Sequence, residues 1–233
     1  MQNSMLKGLL VLGVLFIMAG CGEETDMDTS SVTEETKEVI DESISNISQE
    51  LSNTLAYMGN EERLAYDVYN ALYVKFGNKT FNNIATNGEY EHIASVQKLI
   101  QKYKYSDDVS FTNVDLEPLG YMNTPIEEMV PGVYDVSAIQ DMYDSLMAMA
   151  TNEIEALKVG CRIEVIDIID LTHDIALAEA EEAKDIAKVF TMLRAGSYNH
   201  YWAFDKALQN DGGCCPTALE IIGGTECPDY PQK

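Results

Sequence analysis

Positive charge is scarce in this chain. Its 15 Lys and Arg stand against 39 Asp and Glu, for a net charge of −24. That balance repels phosphate backbones and anionic lipid, so nucleic acid is excluded as a partner, while divalent cations are attracted. Proline is also scarce, at 6 residues. The long stretches between Pro and Gly positions lack turn signals, which favours helices. Only 3 histidines occur, and the paired Cys214-Cys215 lacks a CxxC arrangement, which argues against a zinc site or a thiol redox motif in the tail. The apolar run Leu9–Ala19 is too short to span a bilayer comfortably.

That run is instead the core of a leader. Lys7 precedes it, and it ends in Met18-Ala19-Gly20-Cys21, which resembles the lipobox of bacterial lipoproteins. The resemblance implies cleavage before Cys21, lipid on Cys21, and a mature chain anchored to a membrane face outside the cytoplasm. Residues 21–48 are rich in Glu, Asp, Ser and Thr and read as an acidic flexible tether, its second half able to form a loose helix. Residues 49–210 carry the periodic apolar sequence of one domain, and 211–233 form a tail containing cysteines. In the tail a disulfide from Cys214 or Cys215 to Cys227 is expected, with Cys161 a buried thiol and one tail cysteine left free.

Four long amphipathic segments organise the domain. The first runs from Gln49 to Phe76 with the stripe Leu55, Met58, Glu62, Ala65, Tyr69 and Leu72, and Gly77-Asn78 ends it. Glu61, Arg63 and Asp67 fall off that stripe and are expected in solvent. The second, Thr80–Lys104, carries Phe81, Ile84, Glu89, His92, Val96 and Leu99. The third starts at a Thr151 or Asn152 cap and runs to about Ala180, with Leu157, Cys161, Glu164, Ile168 and Leu171 on one face. The fourth, Ala183–Leu208, carries Ile186, Phe190, Leu193, Ser197, His200 and Phe204. A long crossover over 105–136, with a short helix near Pro125–Val130, and a further helix over 136–150 separate the two pairs. His173 lies on the opposite side of its helix from Glu164 and is expected at the surface.

Each stripe is broken by a polar residue near its middle: Glu62, Glu89 with His92, Glu164, and His200. Buried carboxylates and imidazoles need partners, because an unpaired buried charge costs several kcal/mol or neutralises. Carboxylates that bridge two divalent ions about 3.5–4 Å apart, with an imidazole at each end, would meet that need.

These residues lie in stretches that resemble a known family: EERLAYDVYNALY at 61–73, FNNIATNGEYEHIASVQKLI at 81–100, EALKVGCRIEVIDIIDL at 155–171 and VFTMLRAGSYNHYWAF at 189–204. Together they look like the ferritin-like domain of the bacterial and archaeal DUF2202 group. The resemblance implies an all-α, ferritin-like four-helix bundle and puts a ligand role on Glu62, with Ala65 and Tyr69 completing the first-helix pattern. Glu89 and His92 match the Glu-x-x-His of the second helix, and Glu164 the glutamate of the third. The fourth helix departs from the pattern, with Ser197 where a second Glu-x-x-His would begin. Asp167, one turn from Glu164, is the residue able to compensate. The expected metal ligands are Glu62, Glu89, His92, Glu164 and His200, the expected cofactor is iron as one or two ions, and the expected function is metal binding with Fe(II) oxidation by dioxygen or peroxide. The alternatives are a metal-binding or sensing lipoprotein without turnover, or a structural bundle without metal. Expected partners are metal ions and the membrane through lipidated Cys21, with a homodimer left open.

Overall fold

Helix ends are set by capping chemistry that the sequence announces. The Ser48 side chain accepts from Leu51 N–H to start α2 (Gln49–Phe76), and Gly77, at φ 74°, closes it in a left-handed conformation that glycine adopts without a Cβ penalty. The Asn152 side chain accepts from Glu155 N–H to start α6 (Glu153–Ala180). α5 (Ser137–Met149) and α7 (Lys184–Ala207) also lie within a residue or so of their expected bounds. The computed structural model describes residues 33–103, 125–134 and 136–232. The leader, Cys21 and the middle of the crossover lie outside the described residues.

The architecture is an all-α helical bundle, with no strand among the described residues. α6 and α7 pack along each other as one antiparallel pair. α2 packs against α6 on one side and against the second helical segment on the other. That segment departs from a single uninterrupted helix. It comprises α3 (Lys79–Ile84), a π-helical turn over Ala85–Glu89, and α4 (Tyr90–Tyr103). Tyr90 N–H bonds Ala85 C=O five residues back, the wider ring that defines such a turn.

Two further elements pack outside residues 49–210, the first of them in the half of the tether expected to be able to form a loose helix. α1 (Glu34–Ile40), capped by Thr33, lies within the stretch expected as tether. It packs on α4 and α7, and Thr36, Val39 and Ile47 are buried. The packed body therefore begins upstream of Gln49. In the tail, α8 (Cys215–Ile222) is a short helix opened by Pro216 and closed by Gly223, and it packs on α6.

The core divides into two apolar clusters. One gathers Leu55, Met58, Val96, Leu99, Leu171 and Phe190. The other gathers Val68, Leu72, Phe81, Val159, Cys161 and Phe204. Each buried Leu or Phe side chain contributes about 1.5–3 kcal/mol relative to exposure. The polar interruptions of the four stripes lie between these clusters, so they are fixed by apolar packing above and below.

The structure corrects one reading of α2. Glu61, Arg63 and Asp67, expected in solvent, are 7%, 1% and 5% exposed. For Arg63 and Asp67 the reason is the segment that ends the crossover, whereas Glu61 is turned into a cavity bordered by α5 and α6. Arg63 donates to the carbonyls of Val130 and Val133, with its guanidinium 4.7 Å from the Tyr134 ring, and Asp67 accepts from Gly132 N–H and the Tyr134 hydroxyl. A helix covered on every side has no solvent stripe to read.

The cysteines require a second correction. Cys161 is not a free thiol: it is bonded to Cys214, while Cys215 takes Cys227. Of the two alternatives for Cys227, the structure selects Cys215.

Candidate metal centre

Glu62 lies at the middle of α2, Glu89 at the end of the π-helical turn, His92 in the first turn of α4, Glu164 on α6 and His200 on α7. The structure brings all five together. His92 Nδ1 is 3.0 Å from Glu62 Oε2 and 3.1 Å from Glu89 Oε2. His200 Nδ1 is 3.1 Å from Glu89 Oε1 and 3.5 Å from Glu164 Oε2. Glu89 is thus central, one oxygen toward each imidazole, and the two rings lie 5.3 Å apart. One ligand atom from each of Glu89, His92 and His200 falls within 4.8 Å of the others, a spacing that one metal ion can hold. All five residues are buried, the least so being His200 at 8% exposed.

Two glycines make room for the rings. A Cβ on Gly88 would collide with His200 Nε2, and one on Gly196 with His92 Nε2. Each imidazole therefore leans on bare backbone of the other's helical segment. The group that approaches Gly196 is His92.

Burial drives most of the electrostatics. It raises Glu62 to about 7, against the opposing pull of His92. Burial would raise Glu89 as well, but the imidazoles of His200 and His92 outweigh it and hold this carboxyl below the ordinary range. Burial disfavours charge on His92, yet Glu62 and Glu89 lift it well above the usual imidazole value. On the same balance Glu89 and Glu164 lift His200 to about 10. Without metal the cluster is held together by protons. The arrangement is not fully satisfied, however: Glu62 Oε1 and His200 Nδ1 are buried with no aligned hydrogen bond.

Tyr69 donates to Glu164 Oε1 at 2.5 Å, orienting that carboxylate, and burial with the Glu164 charge raises the phenol well above its usual value. Ser197 donates to Asp167, which places the α6 carboxylate beside the position that a fourth-helix glutamate would fill. Glu61 is the residue that sequence periodicity missed. It lines a small cavity with Glu62, Glu89, Glu164 and Asp167, and its burial on a fully covered helix leaves no amphipathic signal. His173 is exposed, as expected, and takes no part.

The family model described as "Uncharacterized protein domain (DUF2202)" matches residues 51–219. The chain belongs to the DUF2202 family. The matched span contains all five residues of the cluster. A relative from Methanocaldococcus jannaschii, described as "Uncharacterized protein MJ0754", is 35% identical over 167 residues, covering 71% of this chain and 79% of its own length. The crystal structure titled for hypothetical protein MJ0754 superposes with a TM-score of 0.60 at 31% identity, covering 82% of this chain and 91% of that one. The DUF2202 helical arrangement is thus shared with a solved structure.

Proposed function

We propose that this DUF2202 chain is a ferritin-like metal-binding protein whose Glu/His cluster takes iron or a similar transition metal and supports oxidation of Fe(II) by dioxygen or peroxide. The observation that carries the reading is the convergence of three glutamates and two histidines from four helical segments in a dry core, with both Nδ1 atoms turned onto carboxylate oxygens. Three carboxylates and two neutral imidazoles carry about −3, a charge that one or two divalent ions would offset in place of protons. The buried, unaligned Glu62 Oε1 and His200 Nδ1 are donor atoms of the kind that such an ion accepts.

Glu62, Glu89 and Glu164 would hold and bridge the metal, while His92 and His200 would fill terminal positions. When bound, iron supplies a centre that gives up one electron per ion to the oxidant. The protein's part is to fix the donors, keep bulk water out and hold Glu164 through Tyr69. Anaerobic addition of Fe(II) to the metal-free protein, followed by oxygen, tests the reading. The expected result is bound iron and oxidation faster than the protein-free rate. Glu89→Ala and His200→Ala should each lose about 10–100-fold in iron affinity. Iron content unchanged in both variants would refute the assignment.

Ser197, in place of a fourth-helix glutamate, favours a second reading: reversible metal binding or sensing without turnover. Binding without accelerated oxidation in the same assay would select it. The leader further supports export and lipid anchoring at Cys21, so Cys21→Ser is expected to move the protein from the membrane to the soluble fraction. An unchanged membrane fraction would remove the anchor.

A further inference from the structure

Four carboxylates lie outside the Glu/His cluster and beside it. Asp167 and Asp170 follow Glu164 along α6, with Asp174 one turn beyond, and at about 100° per residue the three aspartates fall within about 60° of one another. Glu61 faces them from α2 and is hydrogen-bonded to Asp170. No Lys or Arg among the described residues is paired with Glu61, Asp167 or Asp170 by an ion pair.

The independent observation is Glu61 itself. It is 7% exposed, and its Oε2 is buried with no hydrogen-bond partner. It lines a cavity of about 20 Å³, which it shares with Asp167 and with the inner faces of Glu62, Glu89 and Glu164. A space of that size admits about one water-sized occupant. Neither imidazole lines it. His92 and His200 border a separate groove, on the side of Gly88 and Gly196. The carboxylates therefore have an imidazole side and an oxygen-only side.

We propose that Glu61, Asp167 and Asp170 form a second cation position on the oxygen-only side, suited to a hard divalent ion. An all-oxygen donor set favours Mn²⁺, Fe²⁺ or Ca²⁺ over ions that prefer nitrogen or sulfur. The ion gives Oε2 of Glu61 the partner it lacks. Asp174, its Oδ1 3.1 Å from Nδ1 of the exposed His173, marks the outer end of the same helix face. A cation held here is one cavity away from Glu62 and Glu164.

The test is Mn²⁺ alone, titrated into the full chain after chelator treatment, with free Mn²⁺ counted by electron paramagnetic resonance. Three proteins are compared: wild type, Glu61→Gln/Asp170→Asn, and His92→Ala/His200→Ala. The wild type is expected to bind one Mn²⁺ per chain more than the Glu61→Gln/Asp170→Asn variant, and the histidine variant is expected to keep that ion. Amide replacement keeps the side-chain shape and removes repulsion, so the metal-free melting temperature should not fall. If the double variant does melt lower, Asp170→Asn alone supplies the comparison. Equal Mn²⁺ binding in wild type and the carboxamide variant overturns the proposal, as does a wild type that binds no Mn²⁺. Failure of the Glu/His reading shows separately, as a histidine variant that matches wild type.

Discussion

Gly88 and Gly196 are as necessary to the cluster as the groups that would bind metal. Each lies under the ring of a histidine from the other helical segment, where one methyl group would collide with Nε2. Gly196→Ala removes no ligand and is ordinarily favourable to a helix by about 1 kcal/mol. Its expected effect is nevertheless a loss of about 10–100-fold in metal affinity, because it displaces the His92 ring from its carboxylates. Circular dichroism should show unchanged helix content, and a variant with wild-type affinity would contradict this role for the glycine. At this scale sequence reading was effective where a polar residue interrupted an apolar line, as Glu62, Glu164 and His200 do. It failed at Glu61, whose neighbours Asn60, Glu62 and Arg63 are all buried too. A residue enclosed by elements distant in sequence sends no local signal: Glu61 shares its cavity with Met142 of α5 and with Ile163 and Asp167 of α6.

Among the elements, helix bounds were legible because caps are local chemistry: Ser48, Gly77 and Asn152 each sit where their side chain or φ requires. The π-helical turn was not legible, since Phe81, Ala85, Glu89 and His92, in steps of four, four and three residues, also fit one face of a regular helix. The wider turn was found only through the Tyr90 to Ala85 hydrogen bond. Nor did composition announce α8, an eight-residue helix whose place depends on covalent bonds. Cys161–Cys214 closes a loop over a sequence separation of 53 and ties α8 to α6, one turn from Glu164. Replacing both cysteines by serine is expected to cost about 2–5 kcal/mol of stability. Thermal melting with and without the bond measures it, and an unchanged melting temperature would show that packing alone holds the tail.

For the molecule as a whole, the buried carboxyls set how stability responds to acid. Burial raises Asp174 to about 6 and Glu62 to about 7, and it pushes Asp167 well above its ordinary value. A group raised in the folded state contributes stability that is complete below its unfolded value and lost as pH rises through the folded one. His200, raised from 6.5 to about 10, adds stability that is complete below 6.5 and lost as pH rises through about 10. Glu89, held low, works the other way, and its contribution fades only in stronger acid. The metal-free protein should therefore melt higher at about pH 5.5 than at about pH 7.5. The metal-loaded protein should show the reverse, because protons compete for the same oxygens. A metal-free melting temperature that rises from about pH 5.5 to about pH 7.5 would contradict the account. The covalent map has its own consequence for anyone handling the purified chain. The four cysteines at 161, 214, 215 and 227 can join in three ways, and two of those differ only by exchanging immediate neighbours in the chain. An isomer with Cys161 on Cys215 would weigh the same as the native one, yet would dock the terminal helix turned by about 100°. Peptide mapping, rather than intact mass, is what distinguishes a correctly oxidised sample from a misjoined one.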